Sequence, residues 1–225
     1  DVNSHDIEID GCNNHNATGQ GILVSQNAYN VQIWNNIIYN NGSNANLDHG
    51  IYFAWARGDC VIANNVFYDN WAYNVQLYPD CPNLIFTCNT VDGYTVQDNA
   101  RGGVVVGSEA GLTDNIITVG LISTGAAYYG RGIGPYDPAG TDTNNNVYDS
   151  IAFNNAGGNF GTGGGLIYQN ALEVDPQYVN AATHDYHLQG GSPAIDLCAL
   201  RAGYVPPFDI EGNPRVTADA GAFAA

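Results

Sequence analysis

The chain lacks methionine and lysine altogether, and only 12% of its residues are charged. Its five basic residues are all arginines, against 22 acidic residues, so the formal net charge is −17. Recognition of DNA or RNA needs a basic surface. The negative net charge of this chain therefore excludes direct nucleic-acid binding. No apolar run approaches the roughly 20 residues of a membrane-spanning helix, so we expect no membrane span. The missing methionine predicts a processed chain or one domain of a longer protein.

Residues that favour turns are abundant. The chain has 28 glycines and 29 asparagines, while hydrophobic residues still make up 44% of it. Asparagine, aspartate and glycine favour turns and left-handed backbone, and they are poor helix formers. The composition therefore predicts a folded domain of β-strands and turns.

A segment of alternating hydrophobic residues recurs along the chain and ends in a turn residue. The copies are Ile7–Cys12, Val31–Asn36, Cys60–Asn65, Leu84–Asn89 and Ala110–Asn115, with a sixth at Asn144–Tyr148. A second short strand is predicted after the turn at Ile37–Tyr39, Val66–Tyr68, Thr90–Val91 and Ile116–Thr118. A third, led mostly by glycine, is predicted at Gly21–Val24, Gly50–Phe53, Asn74–Leu77 and Gly103–Val106.

Three short strands per repeat predict an all-β solenoid, a parallel β-helix of about six to seven coils. The recurrent Asn36, Asn65, Asn89 and Asn115 are expected at a tight bend in left-handed conformation. Their amides are also expected to hydrogen-bond along the axis, as in ladders of identical residues. The alternative fold is an antiparallel sandwich of short strands.

The repeat, over about residues 5–155, and the end of the chain resemble the pectate-lyase-like superfamily. Asp175–Asn180, Gly191–Asp196 and Asp209–Arg215 resemble the closing segment of secreted prokaryotic β-helix proteins. The resemblance implies a right-handed β-helix, with coils over residues 1–170 and a last coil and capping tail over 171–225. It also implies that an N-terminal cap is missing. A larger parent protein, end-to-end self-association or a short unrecognised cap would then cover that end.

In carbohydrate-active members of this superfamily the substrate lies along the first sheet, which corresponds here to the glycine-led strands. The outward column of that sheet is predicted to contain Leu23, Tyr52, Gln76 and Val105. Aromatic rings on a rigid face suit sugar binding. The resemblance thus implies a polysaccharide partner contacted by Tyr52, Trp55, Tyr73, Gln76 and Tyr78.

Asp48 and His49, together with Arg57, form the most reactive cluster predicted beside this face. Histidine is suited to act as a base, arginine to stabilise a carboxylate, and aspartate to orient a partner or bind a metal. The structural alternative is that His49 satisfies a carbonyl of its own loop.

Arg57 and Arg101 lie near corresponding loops, and either is a candidate base for an arginine-dependent lyase. The alternative is a surface ion pair with Asp59 or Asp98. The absence of lysine excludes the machinery of alginate-lyase-like members, and the Arg-x-Lys pattern of polygalacturonase-like hydrolases is missing. No recognisable catalytic set is therefore present, which argues against catalysis by this chain.

Eighteen aspartates raise the question of calcium, which takes carboxylate and carbonyl oxygens. The best loop candidates are Asp137, Asp142 and Asp149. No known calcium-binding sequence pattern supports them, and aspartate is also a common turn residue. No cofactor is certain from the sequence, and Ca²⁺ is the candidate.

The acidic, lysine-free composition and two N-glycosylation sequons, at Asn16 and Asn41, favour an extracellular location. Among the five cysteines, Cys60 and Cys81 are candidates for a disulfide, Cys12 and Cys88 for buried free thiols, and Cys198 for a link to the tail. The predicted function is a secreted or cell-surface β-helix that binds polysaccharide along its first sheet. The alternatives are a structural or adhesive rod, which includes filaments, and a Ca²⁺-dependent polysaccharide lyase.

Overall fold

The computed structural model describes residues 3–44, 46–93, 102–107, 115–127, 130–139 and 142–225. Short strands separated by turns follow one another along the chain, as the alternating pattern predicts. The strands are β1 (His5–Asp10), β2 (Asn13–His15), β3 (Ile22–Val24), β4 (Tyr29–Trp34), β5 (Ile37–Tyr39), β6 (Ile51–Phe53), β7 (Val61–Ala63), β8 (Val66–Tyr68), β9 (Tyr73–Leu77), β10 (Ile85–Thr87), β11 (Thr90–Asp92), β12 (Gly102–Val106), β13 (Ile117–Val119), β14 (Ile122–Thr124), β15 (Arg131–Pro135), β16 (Asn145–Phe153), β17 (Leu166–Leu172), β18 (Tyr178–Asn180) and β19 (Asp185–Leu188). Two 3₁₀ helices, η1 (Ala181–Thr183) and η2 (Ala199–Tyr204), lie near the end.

The strands stack in three parallel columns, which confirms the parallel β-helix. The first sheet is β3-β6-β9-β12-β15. The second sheet runs from β1 through β4, β7, β10 and β13 to the start of β16, and the third from β2 through β5, β8, β11 and β14 to the end of β16. Because β16 is continuous, the second and third sheets join there, and β17 pairs beside it. We number the coils 1 to 6 by their second-sheet strands, from β1 to β16.

The core is the interior of this stack. The predicted inward residues of the first sheet are all buried: Ile22, Val24, Ile51, Phe53, Val75, Leu77, Val104 and Val106. Partly buried Ile7 and Ile9 pack against one end of the core, and Phe160 and Tyr168 pack near its other end. Aliphatic columns one coil apart therefore hold the solenoid together, through burial of apolar surface.

An amide ladder runs along the corner between the second and third sheets, as predicted. The Asn65 Oδ1 atom accepts from the Asn36 backbone N–H at 3.0 Å, and Asn89 Oδ1 accepts from the Asn65 N–H at 2.9 Å. The side-chain amides also bond to each other at 2.9 and 3.0 Å. Asn115 is left-handed as predicted, but it lies outside this corner, where the left-handed residues are one position earlier than predicted. They are Gly11, Asn35, Asn64, Cys88, Gly120 and Asp149.

The register that the sequence predicts for the repeat is wrong in the fifth and sixth coils. Residues 117–119 pair with Ile85–Thr87 in the second sheet, so Ile116–Thr118 is not the strand after the turn. The ladder position in coil 5 is Leu121, 32 residues after Asn89, and Asn115 lies outside the column. The register slipped because a hydrophobic residue occupies the ladder position in a longer coil.

A second amide ladder, which the sequence analysis missed, lies at the corner between the third and first sheets. The Asn70 Oδ1 atom accepts from the Asn41 backbone N–H at 3.1 Å and from the Asn41 amide at 3.1 Å. This ladder explains the glycines that lead the first-sheet strands. A Cβ on Gly50 would lie 2.6 Å from Asn70 Nδ2, and one on Gly21 would lie 2.7 Å from Asn41 Nδ2.

The closing segment packs along the corner between the second and third sheets of coils 3 to 6. Its anchoring bonds are Asn64 Nδ2 to Phe208 O, Thr87 Oγ1 to Tyr204 O, Ala222 N to Thr90 Oγ1, Gly221 N to Gly120 O, and Arg201 Nη1 to Asp149 Oδ2. The division at residues 170 and 171 stays a prediction. Within the described ranges, no helix is long and apolar enough to cross a membrane.

All five cysteines are free thiols. Cys60 and Cys81, the predicted pair, are buried but donate to different carbonyls, those of Arg57 at 3.2 Å and Phe53 at 3.0 Å. Cys88 is buried as predicted, whereas Cys12 is exposed.

Candidate functional site

The outward column of the first sheet forms in the predicted register. Leu23 pairs with Tyr52, Tyr52 with Gln76, and Gln76 with Val105. Exposure falls along this column, from 57% at Leu23 to 6% at Gln76 and 2% at Val105. The outward column is therefore exposed at Leu23 and buried at Gln76 and Val105.

Two tyrosines meet across an intervening coil on this face. The rings of Tyr78 and Tyr136 stack with centroids 3.8 Å apart and planes 11° from parallel. Gly107 lies between them, and a Cβ there would be 3.2 Å from the Tyr136 Cβ and 3.5 Å from the Tyr78 ring. The absence of a side chain at residue 107 lets the rings approach, while Tyr136 keeps 44% of its surface exposed.

A cleft of about 220 Å³ opens beside this tyrosine pair. Its lining residues are Tyr73, Val104, Val105, Arg131, Gly134, Pro135, Tyr136 and Pro138. The Arg131 chain lies over Gly134, whose Cβ would be 3.0 Å from Arg131 Cδ. Among the residues that the structure describes, the Arg131 guanidinium has neither a hydrogen bond nor an ion pair. The cleft therefore holds a cation next to aromatic rings.

Tyr52 lies in the same face, near this cleft. Burial raises the pKa of its hydroxyl, the nearby Tyr136 and Cys81 act in the same direction, and a hydrogen bond with Gln76 lowers the pKa. The hydroxyl thus stays neutral at physiological pH, where it can both donate and accept a hydrogen bond.

Asp48 and His49 have separate structural partners. The Asp48 carboxylate accepts from the backbone N–H groups of Ser43 at 2.8 Å and Asn44 at 2.7 Å, which orders its own loop. His49 is buried, and its Nδ1 accepts from the Tyr73 backbone N–H at 3.1 Å. When neutral, the ring therefore carries its proton on Nε2. A catalytic role for these two residues stays a prediction.

Arg57 forms an ion pair with Asp80 at 3.7 Å, a partner that the sequence analysis did not name. It also donates to the carbonyls of Ala56 at 3.1 Å and Asp80 at 3.3 Å. Trp55, on the same turn, is 37% exposed. Arg101 lies outside the described residues, so a role for either arginine as a base stays a prediction.

The three candidate calcium ligands differ in their hydrogen-bond partners and in their burial. Both carboxylate oxygens of Asp149 have partners, Arg201 and Asn170, each at 2.8 Å. Asp137 accepts from the backbone N–H of Ala139 at 2.9 Å, and Asp142 is buried near Gly107. In the part of the chain that is described, no three His, Cys, Asp or Glu side chains are placed to hold a metal ion. A role for these three aspartates in binding Ca²⁺ stays a prediction.

Arg131 and Tyr136 are the site residues that sequence reasoning missed. A signal was present, because Tyr78, Gly107 and Tyr136 are separated by equal steps of 29 residues. The fifth first-sheet strand, which places them, begins at Arg131 and had no predicted counterpart.

Comparison with known proteins gives the family. A family model described as "Right handed beta helix region" matches residues 2–172, well over half of the chain. Among solved structures, pectate lyase Pel9A is similar, with a TM-score of 0.45, 12% sequence identity, and coverage of 94% of this chain and 69% of that one. No curated protein matches the sequence. The stacked parallel sheets agree with the family match, and the chain belongs to the right-handed β-helix family.

Proposed function

We propose that this protein binds a polysaccharide along the outer face of its first sheet, centred on the cleft at Arg131 and Tyr136. The observation that carries the proposal is a cation that has no hydrogen bond or ion pair among the described residues and lies beside an exposed tyrosine in a concave site. Ligand sites are commonly concave, with apolar or aromatic walls and a few polar groups that fix orientation.

The aromatic part of the site fits a sugar ring. Tyr78 covers one face of Tyr136, so the other face is available to the C–H face of a sugar. Tyr52 adds a hydroxyl on the same outward column, where sugar hydroxyls need donors and acceptors, and the buried Gln76 beside it hydrogen-bonds to this hydroxyl. Coils one strand spacing apart, about 4.8 Å, present these groups along a line, which suits an extended chain.

The charge of the protein bears on which polysaccharide binds. A net charge of −17 opposes a polyuronate at long range. Arg131 acts at contact distance, where guanidinium pairs well with carboxylate. Surface charges beyond about 8 Å are largely screened at physiological salt. We therefore expect a glycan that contains some uronate to bind more tightly than a neutral one. We also expect this difference in affinity to increase when moderate salt is added.

The binding test uses soluble neutral and uronate-rich oligosaccharides in titration calorimetry. Tyr136→Ala and Arg131→Gln are each expected to weaken binding about tenfold or more, equivalent to about 1.4 kcal/mol. Tyr204→Ala is the matched control, because Tyr204 is similarly exposed at 39% but lies on the closing segment. Unchanged affinity in both cleft variants, or equal losses in the control, would refute the proposal. Loss of uronate affinity alone in Arg131→Gln would identify the carboxylate as its partner.

Whether the bound chain is cleaved is a separate question. The same polysaccharides are incubated with and without Ca²⁺, following ultraviolet absorbance of unsaturated products and new reducing ends. Absorbance that rises with Ca²⁺ would establish a lyase, and reducing ends without absorbance would establish a hydrolase. Binding without either product would support a recognition module, and the absence of both binding and cleavage would favour the structural rod.

We also propose an extracellular location, in keeping with the acidic, lysine-free surface. One of the two sequons cannot support it in the folded protein. Asn41 is completely buried, and its amide is bonded within the second ladder, so it is not accessible for glycosylation. Asn16 is exposed and therefore accessible for glycosylation. Fractionation of the native source, with detection of the protein in the medium or wall, tests this location.

A further inference from the structure

Two buried cysteines, distant in sequence, border the same small space. Cys88 is at the left-handed turn position of coil 4, and Cys198 directly precedes η2 on the closing segment. A Cβ on Gly120 would lie 3.3 Å from the Cys88 sulfur and 2.9 Å from the Cys198 sulfur. The sum of these two distances, 6.2 Å, is the upper limit on the separation of the sulfurs.

Neither thiol makes a close hydrogen bond. Cys88 Sγ accepts from Thr87 Oγ1 at 3.6 Å and lies 3.7 Å from the Asp219 carbonyl oxygen, and Cys198 Sγ lies 3.7 Å from the Asp149 carbonyl oxygen. Cys60 and Cys81 differ, because their sulfurs donate to carbonyls at 3.2 and 3.0 Å. The side chains of Cys88 and Cys198 can therefore turn towards each other with little loss of hydrogen-bond energy.

The surroundings leave room for a bond between them. Residue 120 is glycine with φ +64°, so no side chain projects into the space between the two sulfurs. A side chain there would contact both sulfur atoms, since even a Cβ falls within 3.3 Å of each. Glycine at this position thus serves both the left-handed backbone and the approach of the cysteines.

We propose that Cys88 and Cys198 form a disulfide that fastens the closing segment to the coils. The two thiols are oxidised, and a low-molecular-weight disulfide such as oxidised glutathione is reduced to two thiols. The S–S bond of the reagent breaks, the Cys88–Cys198 bond forms, and two protons pass to the released thiolates.

We expect the disulfide to form during folding rather than in the folded protein. Burial raises the pKa of both thiols, and the Arg215 guanidinium opposes this increase for each. Because the thiolate is the reacting form, exchange is slow once both groups are enclosed. The bond is therefore expected to form while the closing segment docks, when the thiols are still accessible. It closes a long loop, which most restricts the unfolded chain.

The test is peptide mapping of the full chain after refolding in a glutathione buffer. Free thiols are alkylated in denaturant without reductant, the chain is digested, and masses are measured. We expect one cross-linked peptide pair containing Cys88 and Cys198, with alkyl groups on Cys12, Cys60 and Cys81. The Cys12→Ser variant is expected to keep the cross-link, and Cys198→Ser to lose it and gain alkylation at Cys88.

A stability measurement gives a second readout. Reductant is expected to lower the urea midpoint of the refolded wild type but not of Cys198→Ser. Full alkylation of both residues in a protein that has refolded with native circular dichroism would overturn the proposal. A cross-link between Cys60 and Cys81 in place of the expected one would overturn it as well.

Discussion

Replacing Asn65 with alanine tests whether the first amide ladder carries a large share of the stability of the coils. Asn65 is completely buried, and its Oδ1 is the acceptor for the Asn36 backbone N–H. Its Nδ2 donates to the carbonyls of Ile33 at 2.9 Å and Ala63 at 3.0 Å, and to Asn89 Oδ1 at 3.0 Å. The substitution removes all of these bonds at once.

The expected loss of stability follows from the groups that the substitution leaves without a hydrogen-bond partner. The Asn36 N–H becomes a buried donor without an acceptor, which costs about 1–3 kcal/mol, and each further bond lost contributes about 1 kcal/mol. Ala63 O still accepts from Asn35, so its loss is smaller. We expect Asn65→Ala to lower the free energy of unfolding by about 3–5 kcal/mol.

Urea unfolding followed by far-ultraviolet circular dichroism measures this loss. Asn13→Ala is the control, because Asn13 is exposed on β2, and we expect its effect to stay within about 0.5 kcal/mol. Equal urea slopes for the wild type and both variants would show that the compared states are the same. A loss for Asn65→Ala no larger than that for Asn13→Ala would refute the ladder argument.

Two further predictions concern the closing segment. Arg201→Met removes the cation 2.8 Å from the Asp149 carboxylate, which is 1% exposed, and we expect about 3 kcal/mol of destabilisation in urea unfolding; a change under about 0.5 kcal/mol would contradict this role. Burial lowers the pKa of His187, but its hydrogen bonds to Asp185 and Glu211 outweigh this effect and raise the pKa above 6.5. The stabilisation by His187 is then full below about pH 6.5 and is lost as pH rises through the folded-state pKa. As pH rises through the folded-state pKa of His187, we expect the melting temperature of the wild type to fall relative to that of His187→Gln. Parallel pH profiles of the two melting temperatures would contradict this role of His187.

The sequence predicted most of the solenoid because its signals are local and periodic. Alternating residues such as Ile51 and Phe53 face inward wherever a strand forms, and amides such as Asn65 need only a neighbour one coil away. The register failed at Leu121, where the ladder residue is not an amide and the coil is longer, so neither signal was present.

The candidate site was predicted only in part. Tyr52 and Gln76 were found from the alternation of the first sheet, whereas Arg131 and Tyr136 depend on a fifth first-sheet strand that was not predicted. Partners such as Asp80 for Arg57 depend on where turns place side chains. Periodicity does not determine that placement, because turn conformation varies from coil to coil.

The bonds between the closing segment and the coils change how this protein should unfold. A solenoid held by neighbour contacts alone can lose coils one at a time. Here Asn64 bonds to a residue 144 positions away and Thr87 to one 117 positions away, so loss of the closing segment removes support from several coils together. We therefore expect coils 3 to 6 and the closing segment to unfold as one cooperative unit. Such contacts of large sequence separation also mean that these coils reach full stability only when the end of the chain has been made and docked.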